Sequence, residues 1–221
     1  MRTLRKNSFR HLSNLALCFG AVVALAVPAH AGLISDGGFE AAVANIYSPG
    51  AIGDGWTVLS GTIGIISTSA GFGAAHGGVN YADLDSNNTV NSLSQAVATT
   101  VGQNYTVSFW LGDDVSGDPV TVSFGGATLF NANTPAGLGL AAHNYQFQFY
   151  SYNVTATGAS SSLTFTSNYT FPGGGVGAVI DDVNVVTASS TVPEPATWTA
   201  VMAGLLGLGI AGARRRRAVR R

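Results

Sequence analysis

The sequence predicts an all-β domain in the form of a two-sheet sandwich, and three observations support this prediction. Short runs rich in Val, Thr, Tyr and Phe alternate with clusters of Gly, Asn, Asp and Ser, which is typical of strands joined by turns. No stretch of the central region shows a sustained helical period of apolar residues. The central region can bury one sizeable core, and 46 % of the chain is apolar. We therefore expect two packed sheets, flanked by an N-terminal signal helix and a C-terminal transmembrane helix.

Eight segments have the composition of strands, and the segment that starts at Tyr105 shows why. Its alternate residues are apolar, so we expect one face in the core, while the other face carries Thr106, Ser108 and Trp110. Near Phe149 the apolar residues change from odd to even positions, which predicts a bulge or break. The residues expected to point inward are Tyr105, Val107, Phe109, Leu111, Leu163 and Phe165. The predicted strands are 55–67, 79–85, 90–98, 103–111, 120–129, 145–157, 161–167 and 176–186.

The charges of the chain are segregated by sign. All ten Lys and Arg residues stand near the two ends, whereas all eleven carboxylates lie between Asp36 and Glu194. A central region without Lys or Arg disfavours nucleic acids, phosphate ligands and anionic lipid surfaces as partners, because those need cationic side chains. Neutral glycans remain compatible, and acidic polysaccharides would need a bridging Ca²⁺.

Residues 1–31 are predicted to be a signal peptide. Basic residues precede the apolar run Leu12–Val27, and small residues at Ala29 and Ala31 form an A-x-A cleavage signal. This order indicates export by the Sec machinery with cleavage after Ala31, and the alternative is a buried core helix. Cys18, the only cysteine, would leave with the peptide, so no disulfide would stabilise the exported domain.

Residues 192–221 begin with a proline-rich motif and end in an arginine cluster. The uncharged run between them, Thr197–Ala213, would span roughly 25 Å as a helix at about 1.5 Å per residue. By the positive-inside rule, the basic residues that follow would stay cytoplasmic and stop transfer. These residues are Arg214, Arg215, Arg216 and Arg217. The run is therefore predicted to be a transmembrane helix.

The segment VPEPATW at 192–198, followed by the apolar run and the arginines, resembles the PEP-CTERM sorting signal. The resemblance implies that an exosortase, a membrane-embedded cysteine protease, recognises Pro193, Glu194 and Pro195 and processes the chain there. The prolines would hold an extended segment without backbone donors, which a protease could read. An inner-membrane intermediate would then reach the cell surface or the extracellular matrix. The alternative is a permanent single-span anchor.

Six motifs in the central region, 32–191, carry a second resemblance. In order they are ISDGGFE, GWTV, NYADLDSNN, SLSQAVATTVGQNYTVSFWL, TATGASSSLTFTS and VIDDVNV. Together they are similar to choice-of-anchor C domains and, more distantly, to galactose-binding-like jelly rolls among carbohydrate-binding modules. The resemblance implies a jelly roll in which a structural Ca²⁺, held by Glu40, Asp181 and Asp182, ties the first strand to the last. The alternative is solvated carboxylates in a turn.

Sugar recognition typically combines an aromatic face with amide and carboxylate groups, and the sequence offers candidates for both. Trp110 lies on the polar face of its strand, Tyr81 stands beside Asp83, and Tyr150 is a third aromatic candidate. These four residues are the predicted glycan-binding set. The alternative for Trp110 is packing beneath a loop.

Two further groups of acidic residues are interpreted as solvent-exposed. Asp83 and Asp85 fit one exposed face of a strand by the alternation rule. Asp113, Asp114 and Asp118 form an acidic loop, for which surface solvation is a commoner explanation than weak metal binding.

Catalytic chemistry has little support in the central region. It contains no Cys, Lys or Arg, no G-x-S-x-G motif, and only His76 and His143 as bases that titrate near neutral pH. We therefore expect a non-catalytic protein.

Three functions remain open on the sequence. The favoured one is an exported surface or matrix protein that binds a neutral glycan or exopolysaccharide. The second is a secreted glycoside or ester hydrolase, for which Asp83, Asp85, Asp113 or Asp114 could form a carboxylate pair. The third is a purely structural adhesive protein without a ligand.

Overall fold

The computed structural model of the protein describes residues 32–86, 89–113, 117–135, 145–169 and 177–188. Within these ranges the chain forms two six-stranded sheets and one short 3-10 turn, Thr68–Ala70. Inside the same ranges no helix is long and apolar enough to cross a membrane. The predicted signal peptide and the predicted transmembrane helix lie outside the described residues.

The first sheet, called the front sheet, has six antiparallel strands. In spatial order they are β1 (Asn45–Tyr47), β4 (Ile63–Ser67), β5 (Asn80–Asp83), β12 (Val179–Thr187), β7 (Asn104–Gly112) and β10 (Gln148–Thr155). The second sheet, called the back sheet, is also antiparallel. Its strands are β2 (Gly50–Gly53), β3 (Trp56–Ser60), β6 (Asn91–Ala98), β11 (Ser160–Ser167), β8 (Pro119–Phe124) and β9 (Ala127–Asn133).

The chain crosses repeatedly between the two sheets, which confirms the predicted all-β jelly-roll sandwich. For example, β6 lies in the back sheet and the next strand, β7, lies in the front sheet. Crossing connections of this kind produce a double-sheet jelly roll. The strands are short, and each has one face that can be covered by the opposite sheet.

The core lies between the sheets and is made by the alternate residues that the sequence marks as inward. Phe109 of the front sheet meets Phe165 of the back sheet edge to face, with ring centroids 5.2 Å apart. Trp56, also expected in the core, packs on Phe165 at 6.3 Å and is 1 % exposed. Burying such large side chains contributes about 1.5–3 kcal/mol each, which is the main stabilisation of the sandwich.

Two predicted strands are wrong because each contains a glycine turn. Residues 55–67 form two strands in different sheets, since Gly61 adopts φ +68° and redirects the chain from β3 to β4. Residues 120–129 form a hairpin, since Gly125 and Gly126 both adopt positive φ between β8 and β9. Two consecutive residues with positive φ match the right-handed twist of the flanking strands, and glycine adopts this conformation without steric cost.

Of the bulge or break predicted near Phe149, the structure has no bulge, but the predicted strand 145–157 is interrupted there, because β10 begins at Gln148. Pairing between β10 and β7 continues without a shift from Gln148 to Thr155. Tyr145 and Phe147 precede the strand and pack on the outer face of the front sheet, next to Tyr81. Apolar residues therefore occur at both parities because Tyr145 and Phe147 pack on the outer face before the strand, whereas Tyr150, Tyr152 and Val154 within it pack against the main core.

The N-terminal segment of the domain runs beside the last strand. Leu33 donates its N–H to the carbonyl of Val185, and Val183 donates to the carbonyl of Gly37. A Cβ at Gly37 would lie 1.9 Å from the Val183 oxygen, so only glycine fits this approach. Pairing of β12 with β7 shifts between Asp181 and Asn184, where Asp182 adopts φ +46°. This bulge changes the directions in which the side chains of Asp181 and Asp182 point.

Candidate functional site

The outer face of the front sheet is partly covered by two segments, 68–79 and 145–147. Beneath them lies a small second core of Tyr81, Tyr145 and Val179, separate from the main core. The hydroxyl groups of Tyr81 and Tyr145 are 3.0 Å apart and hydrogen-bonded, and their rings meet edge to face. Both phenols are buried, so this bond satisfies polar groups that would otherwise be costly to bury.

Beside this second core an open cleft crosses the outer face of β1, β4 and β5, and we call it the front cleft. Its volume is about 130 Å³, and it continues into a shallower groove along β4. Ile46 and Phe72, both on its walls, are 50 % and 49 % exposed. The residues that line the cleft are Ile46, Ile66, Phe72, Asp83, Ser86 and Tyr145.

Asp83 provides the carboxylate of the front cleft because it ends β5 with its side chain on the outer face. One carboxylate oxygen accepts the N–H of Asp85 at 2.8 Å, and the other accepts the hydroxyl of Ser86 at 3.2 Å. A short-range turn of this type is common for aspartate at the end of a strand. It fixes the Ser86 hydroxyl at the edge of the cleft, so a carboxylate and a hydroxyl face the same apolar walls.

The structure places only one of the four predicted glycan-binding residues on the front cleft, and that residue is Asp83. Tyr81 is fully buried and supports Tyr145 from below. Tyr150 faces the main core, where its ring lies 4.9 Å from that of Phe130. In this arrangement a ligand on the outer face would not reach the rings of Tyr81 and Tyr150.

Trp110 lies on the outer face of the front sheet, but a loop covers it. The imidazole of His76 stacks on the indole at 3.7 Å with an interplanar angle of 18°. Phe149, which is 51 % exposed, packs beside the indole at 5.3 Å. This is the loop-packing alternative that the sequence left open for Trp110.

Phe72 and Tyr145 are the aromatic residues of the cleft that sequence reasoning missed. Phe72 is an isolated aromatic residue between two glycines and lies outside every predicted strand. Tyr145 shares its parity with Phe147 and Phe149 and so belongs to the outer face. These two signals were available in the sequence, but only the tertiary contacts show which strands the residues cover.

Glu40, Asp181 and Asp182 are brought together around Gly38, and we call them the Gly38 cluster. A Cβ on Gly38 would lie 3.6 Å from an oxygen of Asp182 and 3.8 Å from an oxygen of Asp181. The side chain of Glu40 lies equally close, with its Cγ at 3.8 Å. The two ends of the domain therefore meet at three acidic side chains, as the second resemblance implies.

Backbone N–H groups of residues 76–80 and of β12 donate hydrogen bonds to the carboxylates of the Gly38 cluster. Glu40 accepts from Val79 at 2.8 Å and from Asn80 at 2.9 Å through one oxygen. One oxygen of Asp181 accepts the N–H groups of His76 and Gly77, and the other accepts that of Asp182. Burial raises the pKa of Asp181 to about 6, while these backbone donors act in the opposite direction.

Asp182 completes the Gly38 cluster through a side-chain contact with His76. Its carboxylate lies 2.7 Å from Nδ1 of the imidazole, and both side chains are partly exposed. This contact holds the imidazole ring against Trp110. The cluster therefore fixes the loop 68–79 on the front sheet, and the Ca²⁺ expected at Glu40, Asp181 and Asp182 stays a prediction.

A second acidic group consists of Asp85, Asp113 and Asp118, and we call it the buried cluster. The three residues are 2 %, 0 % and 3 % exposed and Asp83 is 8 % exposed, so the predicted solvent exposure of Asp83, Asp85, Asp113 and Asp118 is wrong. The buried cluster lies at one end of the sandwich, where β5 and β7 end and β8 begins. Each side chain follows or precedes a strand end and folds inward between the sheets. Asp114 lies outside the described residues.

Hydroxyl and backbone groups donate hydrogen bonds to two carboxylates of the buried cluster, those of Asp85 and Asp113. Asp85 accepts the hydroxyl of Ser167 and the N–H of Ala178, and Asp113 accepts the hydroxyl of Thr134. Asp118 shares a hydrogen bond with the carboxyl group of Asp85, which requires that this pair of carboxyl groups holds a proton. Burial, together with the charges of Asp113 and Asp85, raises the pKa of Asp118 to about 9.

In the described ranges, no group of three or more His, Cys, Asp or Glu side chains is placed so that it could hold a metal ion. The two acidic groups nevertheless differ in their chemistry. Backbone N–H groups donate to the carboxylates of the Gly38 cluster, whereas in the buried cluster two carboxyl groups, those of Asp85 and Asp118, share a hydrogen bond.

Residues 191–217 match the family model described as the PEP-CTERM protein-sorting motif. This match includes the predicted recognition residues Pro193, Glu194 and Pro195 and the predicted stop-transfer arginines, all of which lie outside the described residues. No curated protein matches the sequence. The resemblance to choice-of-anchor C domains stays a prediction.

Solved structures with a similar chain fold include three proteins that this chain covers almost completely. TmCBM61 in complex with β-1,4-galactotriose is 20 % identical, with 72 % of this chain and 99 % of that chain covered and a TM-score of 0.46. The K2 cleaved adhesin domain of Lys-gingipain is 18 % identical, with 69 % and 96 % covered and a TM-score of 0.46. CBM35 from Paenibacillus barcinonensis is 15 % identical, with 66 % and 99 % covered and a TM-score of 0.41.

Proposed function

We propose that the chain is an exported, non-catalytic surface or matrix protein whose domain binds a neutral glycan in the front cleft. The observation that carries this proposal is the composition of the cleft. Exposed Phe72 and Ile46 form apolar walls, and Asp83 and Ser86 place a carboxylate and a hydroxyl between them.

The chemistry of a sugar ring matches these two kinds of surface. A pyranose has an apolar C–H face, which packs on an aromatic ring, and hydroxyl groups, which donate to carboxylates and accept from hydroxyls. The cleft is open along its length and continues into the groove that follows β4. An open groove admits the interior of a polysaccharide chain as well as its end, which suits a ligand with the size of an exopolysaccharide.

The distribution of charge selects a neutral glycan over an anionic one. Every Lys and Arg of the chain belongs to residues 2–10 or 214–221, so the domain offers no cationic side chain to a sulfate, phosphate or uronate. Asp83 would repel such groups in the cleft. A glycan of neutral sugars meets no such penalty.

The sorting motif supports export as the setting for this binding. In the proposed route the Sec machinery exports the chain, the C-terminal segment holds it in the inner membrane, and an exosortase recognises Pro193, Glu194 and Pro195. The domain would then act at the cell surface or in the extracellular matrix.

The test is an array of neutral glycans probed with the full-length chain in detergent, followed by affinity measurements on the best ligand. We expect Phe72→Ala to weaken binding by about tenfold, because the lost aromatic face contributes roughly 1.4 kcal/mol. Phe149→Ala is the matched control, since this residue is equally exposed on the same sheet but lies outside the cleft. We expect its affinity within about twofold of the parent chain.

Three results would contradict the proposal. If no glycan on the array binds the chain, this result favours a purely structural adhesive protein. An equal loss of affinity in the two variants would place the binding site outside the front cleft. Release of reducing sugar or acid from the bound ligand would show the secreted hydrolase instead.

A further inference from the structure

We propose that the front cleft and the groove along β4 are two adjoining subsites for one chain of neutral sugars, and that Gly64 is the positioning residue that sets the depth of the first subsite. The inference rests on the proposed function, since it concerns the same ligand. It adds the length of that ligand, because a site of this shape takes a segment of several sugars in preference to a single sugar.

The front cleft follows from the register of β1, β4 and β5. Ile46 stands directly opposite Gly64, and Gly64 stands directly opposite Asp83. Residues opposite one another in antiparallel strands carry their side chains on the same face of the sheet, with Cβ atoms about 5 Å apart. In this row an apolar side chain and a carboxylate flank a residue without a side chain. The row therefore has the cross-section of a cleft, with Gly64 at its base.

The reason for a glycine at position 64 is space. Its φ angle is not positive, so the backbone itself would accept another residue, and a glycine inside a strand normally weakens the strand. A Cβ on Gly64 would lie 2.6 Å from Oγ of Ser86, 3.0 Å from Cδ1 of Ile66 and 3.1 Å from Cδ1 of Ile46. These three side chains lie low over Gly64 and form the floor of the cleft. A methyl group at this position would push them outward into the space that a sugar ring needs.

The groove along β4 shares three lining residues with the cleft. Ile46, Ile66 and Phe72 line both, so one surface runs through the two. The groove is the larger, with a volume of about 520 Å³ against about 130 Å³ for the cleft. From Gly64 to Ser67, which lines the groove, β4 advances about 10 Å at roughly 3.3 Å per residue. This length exceeds one sugar ring, so a single sugar would leave most of the groove empty.

Each subsite has its own hydrogen-bonding groups. In the cleft, a carboxylate oxygen of Asp83 and the hydroxyl of Ser86 lie 3.2 Å apart. In the groove, the hydroxyl oxygens of Ser67 and Ser69 lie 3.0 Å apart. Phe72 lines both subsites and offers its ring to the sugars on either side. Successive sugars of one chain would therefore each meet a pair of polar groups and share one aromatic ring.

The first experiment measures how affinity depends on ligand length, with the full-length chain in detergent. The probes are β-1,4-linked oligosaccharides of glucose, mannose and galactose, from the single sugar to about six sugars. For a series that binds, we expect the Kd to fall at least about tenfold from one sugar to about three, and to change by less than about twofold beyond about four. Equal affinity for the shortest and the longest probe would show that the groove is not a subsite.

The second experiment tests Gly64 with variants that separate the floor from the hydroxyl. Ser86→Ala removes the closest contact that a Cβ at position 64 would make, and we expect affinity to fall about threefold. Gly64→Ala combined with Ser86→Ala raises the floor without that collision, and we expect a further loss of about tenfold for every probe. Gly158→Ala, in the connection between β10 and β11 and also without a positive φ, is the matched control. Its affinity should stay within about twofold of the parent chain.

Ser69→Ala separates an effect on one subsite from a general structural effect. We expect it to weaken binding of chains of about four sugars by about threefold and to leave binding of the single sugar unchanged, because the single sugar occupies the cleft alone. A general loss of stability would weaken both probes alike. Thermal unfolding of each variant checks that it is folded.

Failure of this inference is distinguishable from failure of the proposed function. If Phe72→Ala weakens binding but the double variant binds as well as Ser86→Ala, the glycan occupies the front cleft and Gly64 does not set its depth. If no probe and no glycan on the array binds, the proposed function fails and this inference fails with it. Should the double variant fail to fold, adding Ile66→Val to it and to Ser86→Ala removes the next contact of the new Cβ and keeps the comparison.

Discussion

The two acidic clusters of the domain contain three carboxylates each, yet they are stabilised in different ways. In the Gly38 cluster, five backbone N–H groups donate to Glu40 and Asp181. In the buried cluster, Asp85 and Asp113 accept from the hydroxyl groups of Ser167 and Thr134 and Asp85 also accepts the N–H of Ala178, while Asp118 shares a hydrogen bond with Asp85. Burial raises the pKa of Asp181 to about 6 and that of Asp118 to about 9. Backbone donors lower the pKa of Asp181 against the effect of burial, whereas the charges of Asp113 and Asp85 add to burial in raising the pKa of Asp118.

The largest effect that would test this comparison is the loss of Asp181. Asp181→Ala removes the acceptor of the N–H groups of His76, Gly77 and Asp182, and we expect a destabilisation of about 3 kcal/mol. Chemical denaturation of the full-length chain measures this loss in the free energy of unfolding. Asp181→Asn, which keeps one acceptor oxygen, should lose about half as much. Equal stability of Asp181→Ala and the parent chain would show that these N–H groups find other partners.

The next prediction is a gain in the free energy of unfolding instead of a loss. At neutral pH, Asp118→Asn removes the need to protonate a carboxyl group on folding, because a pKa of about 9 keeps Asp118 neutral in the fold, so we expect a stabilisation of about 1 kcal/mol. The same denaturation experiment measures this gain in stability. A destabilisation of the size seen in Asp181→Ala would mean that the two clusters do not differ in the way proposed.

The smallest effect concerns His76. His76→Ala removes the stacking on Trp110 and the contact with Asp182, but it keeps the backbone N–H that Asp181 accepts. Because the pair is partly exposed, we expect a destabilisation of only about 0.5–1 kcal/mol. Fluorescence of Trp110 should report the lost stacking partner. A loss as large as that of Asp181→Ala would assign the main anchoring of the loop to the imidazole instead of the backbone.

Particular residues show how far the sequence could predict the site. The pattern DGGFE near the start and DD near the end led to the Gly38 cluster, because the resemblance joins the first and last strands. By contrast, the alternation rule predicts that Asp83 and Asp85 lie on one exposed face of a strand. This prediction is wrong because β5 ends at Asp83. Beyond the end of a strand the period of two no longer applies, so Asp85 turns inward. Tyr150 was assigned to a ligand although its even parity marks the core face.

The sequence by itself determined the fold class, the inward faces of the central strands, and the sorting motif at the C-terminus, because these depend on local composition and on a period of two. Only the tertiary structure decided which side chains meet. Phe72, Asp83 and Tyr145 come from three separate loops and strand ends, and so do Asp85, Asp113 and Asp118. A contact between distant residues depends on how strands are ordered across two sheets, and no short pattern in the chain encodes that order.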